Sequence, residues 1–215
     1  MKVLISGASS GIGSAAAVRF AQAGWQVVLT GRAEDRLTAV LNSLDGEGHE
    51  MVLADVLDWA EDPKRIPAMG SLDAMVWSAG VCKLAAGMLL RQKVIRETLA
   101  INLEAPLVVT SHLYRTKALV DGAQIVWLGS ESAHEAGEGF SIYAASKGGL
   151  GAAARVLTKE YARRSVALHC IEPGTVNTPM TDALIEQFDG LKDGYADNME
   201  TPEAIAEKIF DLCQP

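Results

Sequence analysis

The sequence predicts an α/β fold, with a doubly wound, mainly parallel six-stranded sheet and helices on both faces. Two observations lead to this fold class. Short apolar runs alternate along the chain with longer helical patterns, which is typical of strands joined by helical crossovers. A glycine-rich turn, residues 6–13, separates the first apolar run from the first helical pattern. Because 215 residues without a linker or repeat suit one core, we expect a single domain over residues 1–215.

Each predicted strand is followed by a turn residue or by a candidate functional residue. The strands are placed at residues 2–6, 26–30, 51–54, 74–78, 123–129 and 166–171. The first helix is expected over residues 11–24, because Gly24 suits a helix C-terminus. The second helix has an apolar stripe formed by Leu37, Val40, Leu41 and Leu44.

The later crossovers differ in length. Pro63 and Pro67 predict a short or broken third helix, because proline lacks the backbone N–H that a helix interior needs. Long helices are expected over residues 94–115 and 142–163. The last helix is expected to start at Thr201, with Pro202 in its first turn.

Composition argues against several classes of function. The chain has 19 Lys and Arg against 27 Asp and Glu, a net charge of -8, which does not suit nucleic acid or an anionic membrane as partner. Cys82, Cys170 and Cys213 lack metal-ligand spacing and are expected to be reduced thiols. The histidines lack such spacing too, so no metal is predicted. Without a signal-peptide pattern or an apolar stretch of membrane-spanning length, we expect a cytoplasmic protein.

The glycine-rich turn is a candidate dinucleotide site. Gly7, Gly11 and Gly13 would let the backbone approach a pyrophosphate closely, while the following helix N-terminus supplies N–H groups and a positive dipole. The spacing Gly-x-x-x-Gly-x-Gly differs from the commoner Gly-x-Gly-x-x-Gly. No Gly-Lys-Ser/Thr follows it, which disfavours a mononucleotide P-loop. The alternative is a tight turn that binds nothing.

Tyr143 and Lys147 are a candidate proton-transfer pair. Their four-residue offset places them on one face of a predicted helix. A nearby ammonium would lower the pKa of the phenol, which favours proton transfer near neutral pH. Such pairs also occur on solvated helices without a catalytic role. Ser130 favours the catalytic interpretation, because it ends the fifth strand at the sheet edge where ligand-binding groups belong.

These motifs resemble the short-chain dehydrogenase/reductase family over nearly the whole chain. The family's Thr-Gly-x-x-x-Gly-Ile-Gly reads Ser-Gly-Ala-Ser-Ser-Gly-Ile-Gly at residues 6–13, and its adenine-contacting Asp-Val resembles Asp55-Val56. Its Asn-Asn-Ala-Gly reads Trp-Ser-Ala-Gly at residues 77–80, so both asparagines are replaced. The resemblance implies a Rossmann-like fold and a nicotinamide cofactor.

The resemblance also implies catalytic roles. Tyr143 would exchange a proton with the substrate oxygen, and Lys147 would lower the pKa of Tyr143 and bond the nicotinamide ribose. Ser130 would hold and polarise the substrate carbonyl, with Ser132 as a second contact. Asn102 matches the asparagine that anchors a proton-relay water in relatives; the alternative is a polar residue that caps a local helix distortion.

The implied cofactor is NADP (NADPH) rather than NAD. The second strand is followed by Gly31 and Arg32, with no acid to accept hydrogen bonds from an unphosphorylated ribose. Arg32 could bind a 2′-phosphate with its planar donors, as in the NADP-using branch of the family. The alternative is a solvated arginine at the start of a helix.

A segment after the sixth strand matches the family's Pro-Gly-x-Val-x-Thr. Val176 would orient the nicotinamide carboxamide through its backbone, and Thr178 would bond it or a phosphate; a plain turn is the alternative. Because this segment, Ser130 and the glycine loop leave the same sheet edge, one shared crevice is expected. The expected cofactor residues are Gly7, Ser9, Ser10, Gly11, Ile12, Gly13, Arg32, Asp55, Val56, Ala79, Gly80, Tyr143, Lys147, Pro173, Gly174, Val176 and Thr178.

Relatives usually continue into a seventh strand, which is expected to be lacking here. Residues 166–171 would then form an edge strand, unless a partner or the region of Tyr195 covers it. A homodimer through the helices carrying Asn102 and Tyr143 is therefore expected, in place of the tetramer that is common in the family.

The substrate pocket is expected from residues 81–90, 131–142 and 177–199. Its candidate walls are Leu84, His134, Phe140, Met180, Phe188 and Tyr195. Such mixed walls suit a small carbonyl compound or secondary alcohol, while Glu131, Glu135 and Glu138 make the rim acidic and disfavour strongly anionic substrates. The sequence thus predicts an NADP(H)-dependent oxidoreductase. The alternative is a dinucleotide-binding regulator or scaffold without turnover.

Overall fold

Parallel strands form one six-stranded sheet within the residues that the structure describes, 1–135, 137–187 and 199–214. The strands of this computed structural model are β1 (Lys2–Ser6), β2 (Gln26–Gly31), β3 (Glu50–Leu53), β4 (Leu72–Trp77), β5 (Leu119–Leu128) and β6 (Ala167–Ile171). Their order is β3-β2-β1-β4-β5-β6, and every neighbouring pair is parallel. The predicted fold class is confirmed, with β6 at one edge of the described sheet.

Helices connect the strands. They are α1 (Gly11–Gln22), α2 (Glu34–Asn42), α3 (Val56–Glu61), α4 (Gln92–Leu99), α5 (Ala105–Arg115), α6 (Ser141–Tyr161), α7 (Pro179–Gln187) and α8 (Pro202–Leu212). The third crossover is short as predicted, because α3 is followed by a 3₁₀ turn that starts at Pro63. The predicted helix over residues 94–115 is interrupted by a π-helical turn, Ala100–Glu104, between α4 and α5. Among the described residues, no helix is both long enough and apolar enough to cross a membrane.

The four central strands, β1, β2, β4 and β5, are buried on both faces, in two hydrophobic cores. Alternate side chains of β1 point to opposite faces, so Ile5 joins the core that includes Phe20 of α1 and Ile209 of α8. Leu4 joins the other core, which includes Val109 of α5 and residues of α3 and α6. Burial on both faces explains why the strands appear as short apolar runs in the sequence. It also leaves the carboxyl ends of the strands as the place where polar groups gather.

Candidate active site

Two positions of the turn between β1 and α1, Gly7 and Gly13, leave no space for a side chain. Gly7 has a φ of +68°, and a Cβ placed on it would lie 2.7 Å from the backbone nitrogen of Ala79. A Cβ on Gly13 would lie 2.4 Å from the carbonyl oxygen of Gly7. Both distances are shorter than van der Waals contact, so the turn packs closely against its neighbours because these side chains are absent.

A groove of about 250 Å³ opens beside this turn. Its lining includes the predicted residues Gly7, Ser9, Ser10, Gly11, Ile12, Arg32, Asp55, Val56, Ala79, Gly80 and Thr178. Gly13 is buried against the backbone of Gly7 and does not line the groove. The N-terminus of α1 adds backbone N–H groups without intrahelical partners and a positive dipole end. Because these features suit a pyrophosphate, the groove fits the phosphate and adenosine parts of a dinucleotide.

Arg32 and Asp55 form an ion pair in this groove, with 3.4 Å between Nη1 and Oδ2. Asp55 also caps α3, because its Oδ1 accepts a hydrogen bond from the backbone nitrogen of Leu57. The Arg32 side chain is 69% exposed. Ion pairs between such exposed groups contribute little to stability. Arg32 can therefore exchange Asp55 for another anion with little loss of stability.

A cavity of about 320 Å³ adjoins the groove, and Ile12, Gly80 and Thr178 line both. The side chains of Ser130, Tyr143 and Lys147 meet in this cavity. Its lining also contains Pro173, Gly174 and Val176 from the segment after β6. The carboxyl ends of β4, β5 and β6 thus meet in one crevice, as the sequence predicts.

The segment after β6 is ordered by Thr181, which the sequence analysis did not single out. Its hydroxyl donates a 2.6 Å hydrogen bond to the carbonyl oxygen of Val176 and lies 3.3 Å from the hydroxyl of Thr178. Residue 176 also forms a β-bridge with Glu200. These contacts hold Val176 in the wall of the cavity and Thr178 in the wall that the groove and the cavity share.

Tyr143 has a pKa that is raised to about 12, opposite in direction to the sequence-based expectation. Burial is the main cause, because a phenolate would lose its hydration in the cavity wall. The neighbouring Cys82 adds to the rise, and a hydrogen bond with Ser130 partly offsets it. The Nζ of Lys147 lies 5.7 Å from the Tyr143 ring centroid. The expected lowering of this pKa is therefore wrong for this structure, in which the Tyr143 phenol is neutral at pH 7.

Lys147 is buried, and its Nζ donates a 2.6 Å hydrogen bond to the carbonyl oxygen of Leu128 at the end of β5. Burial lowers the pKa of Lys147 to about 8. Gly80 lies beside the same amine, because a Cβ placed on it would be 3.6 Å from this Nζ, an ordinary van der Waals contact. The amine is therefore fixed by the central sheet, at the side of the cavity that faces the groove.

Ser130 caps the 3₁₀ turn Glu131–Ala133, because its Oγ accepts a 3.2 Å hydrogen bond from the backbone nitrogen of Ser132. A serine hydroxyl can accept such a bond and still donate its own hydrogen. The cap fixes the oxygen at the end of β5, next to Tyr143. Ser132 lines the same cavity, as expected for a second contact.

Comparison with known proteins identifies the family. The family model described as short chain dehydrogenase matches residues 1–189. The chain belongs to the short-chain dehydrogenase/reductase family. It is 33% identical over 201 residues to glucose 1-dehydrogenase of Gluconobacter oxydans (strain 621H), covering 89% of this chain and 75% of the relative. It is 30% identical over 188 residues to carbonyl reductase family member 4 of Danio rerio, covering 86% and 79%.

Solved structures agree with this family assignment. The structure of BdcA in complex with NADPH has a TM-score of 0.84 and 26% identity, covering 100% of this chain and 87% of that one. A dehydrogenase/reductase from Sinorhizobium meliloti 1021 has a TM-score of 0.84 and 28% identity, covering 100% and 88%. This chain is thus an oxidoreductase of the short-chain dehydrogenase/reductase family.

In this short-chain dehydrogenase/reductase, Asn102 is buried behind the cavity, within the π-helical turn. Its Oδ1 accepts a hydrogen bond from the backbone nitrogen of Val81 (2.8 Å), and its Nδ2 donates to the carbonyl oxygen of Val81 (2.9 Å). The same Nδ2 donates to the Oγ of Ser146 (3.0 Å), which donates to the carbonyl oxygen of Tyr143 (2.7 Å). Ser146 was not predicted as a site residue; its signal in the sequence is its place between Tyr143 and Lys147 in Tyr-Ala-Ala-Ser-Lys.

The expected substrate walls are found in part. Phe140 and Met180 line the cavity, together with Leu184 and Ile185 of α7. His134 instead pairs with Glu172 across the outer surface, 3.1 Å from Nε2 to Oε2. Leu84 lies against the turn at Gly139. Phe188 and Tyr195, the other two expected wall residues, lie outside the described residues. Across the described part of the chain, no group of three or more His, Cys, Asp or Glu could hold a metal ion.

Proposed function

We propose that this chain is an NADP(H)-dependent oxidoreductase that interconverts a small carbonyl compound and the corresponding secondary alcohol. The observation that carries the proposal is that Ser130, Tyr143 and Lys147 meet in a cavity adjoining the glycine-lined groove. The names of two relatives, a glucose 1-dehydrogenase and a carbonyl reductase, describe reactions of the same kind. When bound, the nicotinamide cofactor supplies or accepts the hydride, and the residues of the chain hold the substrate and move the proton.

In the reducing direction, Ser130 donates a hydrogen bond to the substrate carbonyl oxygen and polarises the carbonyl. Tyr143 donates its phenolic proton to that oxygen as the carbonyl carbon accepts the hydride. A pKa of about 12 keeps this phenol protonated at neutral pH, which suits a proton donor. Lys147, charged below its pKa of about 8, stabilises the phenolate that forms. Asn102 and Ser146 hold the backbone of Tyr143 and so position it.

The preference for NADP(H) over NAD(H) is supported by Arg32, whose guanidinium lies in the groove beyond the end of β2. Its present partner, Asp55, is held at 3.4 Å and can be exchanged for a 2′-phosphate. Arg36 lines the same groove and adds a second positive charge. The complex of BdcA with NADPH agrees with this choice.

Calorimetric titration with NADPH and NADH tests the cofactor assignment. Wild type is expected to bind NADPH more tightly, and Arg32→Ala to weaken NADPH by roughly tenfold or more while leaving NADH unchanged, as for loss of a charge-assisted hydrogen bond. Arg65→Ala is the matched control, since Arg65 is exposed and pairs with Asp58 away from the groove. Equal binding of both cofactors, unaffected by Arg32→Ala, would refute the NADP preference but not the proposed reaction.

We also propose a homodimer through the helices that carry Asn102 and Tyr143. On α6, Val156 is 56% exposed and Ala152 is exposed on the same stretch, which offers an apolar contact surface. Sedimentation velocity should show a dimer that Val156→Arg converts to a monomer; a monomeric wild type would contradict this.

The cytoplasmic location stays a prediction, with which the three free cysteines are compatible.

A further inference from the structure

The charge of the cavity indicates which carbonyl compounds enter it. Within the described part of the chain, the charged side chains that line the cavity are Glu131, Glu135 and Lys147. Lys147 is buried and donates a hydrogen bond to Leu128, whereas Glu131 and Glu135 are exposed. The carboxylates are therefore the charges that a substrate meets first.

Both carboxylates belong to the turn that begins at Ser130. The backbone nitrogen of Glu135 donates a 3.2 Å hydrogen bond to the carbonyl oxygen of Glu131, which closes one turn and brings the two residues to the same side. A Cβ placed on Gly174 would lie 2.9 Å from the Oε2 of Glu131, so this carboxylate rests against the segment after β6. The two acids thus border the cavity next to the proposed carbonyl-binding serine.

We propose that the site prefers carbonyl substrates that carry a positive charge, such as protonated or quaternary amines, and that Glu131 and Glu135 determine this specificity. The inference rests on the proposed function, of which it names the substrate class. Leu184, Ile185 and Phe140 supply apolar walls for the hydrocarbon groups around the cation, and the carboxylates supply the opposite charge. The net charge of -8 acts in the same direction, because it attracts cations over a longer range.

The expected preference is moderate. Both glutamates are exposed, so water and salt screen their charges. Each exposed ion pair of this kind should strengthen binding of the cation by about two- to fivefold. The preference for the cation should decrease as salt is added.

A pair of ketones with the same shape isolates the effect of charge. The (2-oxopropyl)trimethylammonium ion and 4,4-dimethylpentan-2-one differ only in a nitrogen cation in place of a carbon. Their dissociation constants are measured by calorimetry with NADP⁺ present, so that no hydride transfer to the ketone occurs, and their reduction rates are measured separately with NADPH. Glu131→Gln/Glu135→Gln is compared with wild type. Glu138→Gln is the matched control, because Glu138 is an exposed acid of the same loop outside the cavity lining.

Wild type and Glu138→Gln should bind the cation at least about fivefold more tightly than the neutral ketone, and the double variant should lose most of this preference. Equal binding in wild type, no detectable binding of the cation, or a preference that is undiminished in the double variant would overturn the inference. Reduction of the neutral ketone would then still support the proposed function. Charge-dependent binding without reduction of either ketone would support the inference and count against the proposed reaction.

Discussion

The Nζ of Lys147 lies 2.6 Å from the carbonyl oxygen of Leu128, to which it donates a hydrogen bond. Leu128 ends β5, and Ser130 follows it two residues later. The central sheet therefore fixes the buried amine and the hydroxyl of Ser130, the proposed carbonyl-binding group, from the same strand end. Two of the three proposed catalytic groups are positioned by the most buried part of the fold.

Lys147→Met should change the pH dependence of stability. The pKa of Lys147 is about 8 in the folded protein against an ordinary 10.5, so the unfolded chain binds this proton more tightly. Below pH 8 the charged amine destabilises wild type by up to about 3 kcal/mol, and this penalty fades as the pH rises toward 10.5. The lost bond to Leu128 offsets part of the gain in the variant, so the diagnostic quantity is the change with pH.

Urea unfolding of wild type and Lys147→Met at pH 7 and pH 10 checks this. The stability of the variant relative to wild type should decrease between the two pH values. Lys159→Met, at an exposed lysine of the same helix, should show no such trend. A constant difference for Lys147→Met would contradict the lowered pKa.

The two directions of the reaction should depend differently on pH. Reduction needs the protonated Tyr143 and the charged Lys147, so its kcat/KM should be level below the lysine pKa of about 8 and fall above it. Oxidation starts from the Tyr143 phenolate beside the same charged Lys147, a state that holds one proton on the pair, so its rate should rise with pH up to about 8 and level off above it. Steady-state pH profiles in both directions measure this. A reductive rate that stays level up to pH 10 would show that the charge of Lys147 is not needed.

Gly13→Ala should damage both the fold and cofactor binding. Its Cβ would lie 2.4 Å from the carbonyl oxygen of Gly7, so the turn must move. Overpacking of this kind costs about 1 to 3 kcal/mol, and the displaced turn should weaken NADPH binding. Gly87→Ala is the control, because nothing lies within 4 Å of its added Cβ. Denaturant unfolding and NADPH titration compare the two variants; equal behaviour would mean that the turn tolerates a side chain.

Asn102→Ala should destabilise the protein more than Ser146→Ala. Removing the amide leaves the N–H and the C=O of Val81 without their partner, and an unsatisfied buried group costs about 1 to 3 kcal/mol. Ser146→Ala leaves both contacts of Asn102 with Val81 in place. Unfolding free energies of the two variants are the measurement. A smaller loss for Asn102→Ala would show that water replaces the amide.

The features that local backbone chemistry dictates could be predicted from the sequence. Gly7 and Gly13 are needed where the chain approaches its own backbone, and such a turn between a strand and a helix is visible in the residue pattern. Ser130 was found for a similar reason, because ligand-binding groups gather where parallel strands end. Strand boundaries were predicted less accurately than these site residues: β5 begins at Leu119, earlier than the predicted residue 123.

The features that depend on distant contacts could not be predicted. The π-helical turn accompanies the bonds between Asn102 and the backbone of Val81, 21 residues earlier in the chain. The direction of the Tyr143 pKa shift depends on how deeply the cavity buries the phenol, which the spacing to Lys147 does not encode. The four-residue offset correctly placed both residues in one cavity, but the nearest polar partner of Lys147 proved to be Leu128.

The central claim is that Tyr143 transfers the proton, and Tyr143→Phe tests it most directly. The variant should bind NADPH as wild type does, while its reduction of carbonyl substrates, followed as NADPH oxidation, falls by roughly 100- to 10,000-fold. Tyr114→Phe, at a tyrosine that stacks on Tyr161, is the matched control and should keep wild-type activity. Turnover in Tyr143→Phe equal to wild type would contradict the assignment, and tight NADPH binding by wild type without turnover of any carbonyl compound would favour a dinucleotide-binding regulator instead.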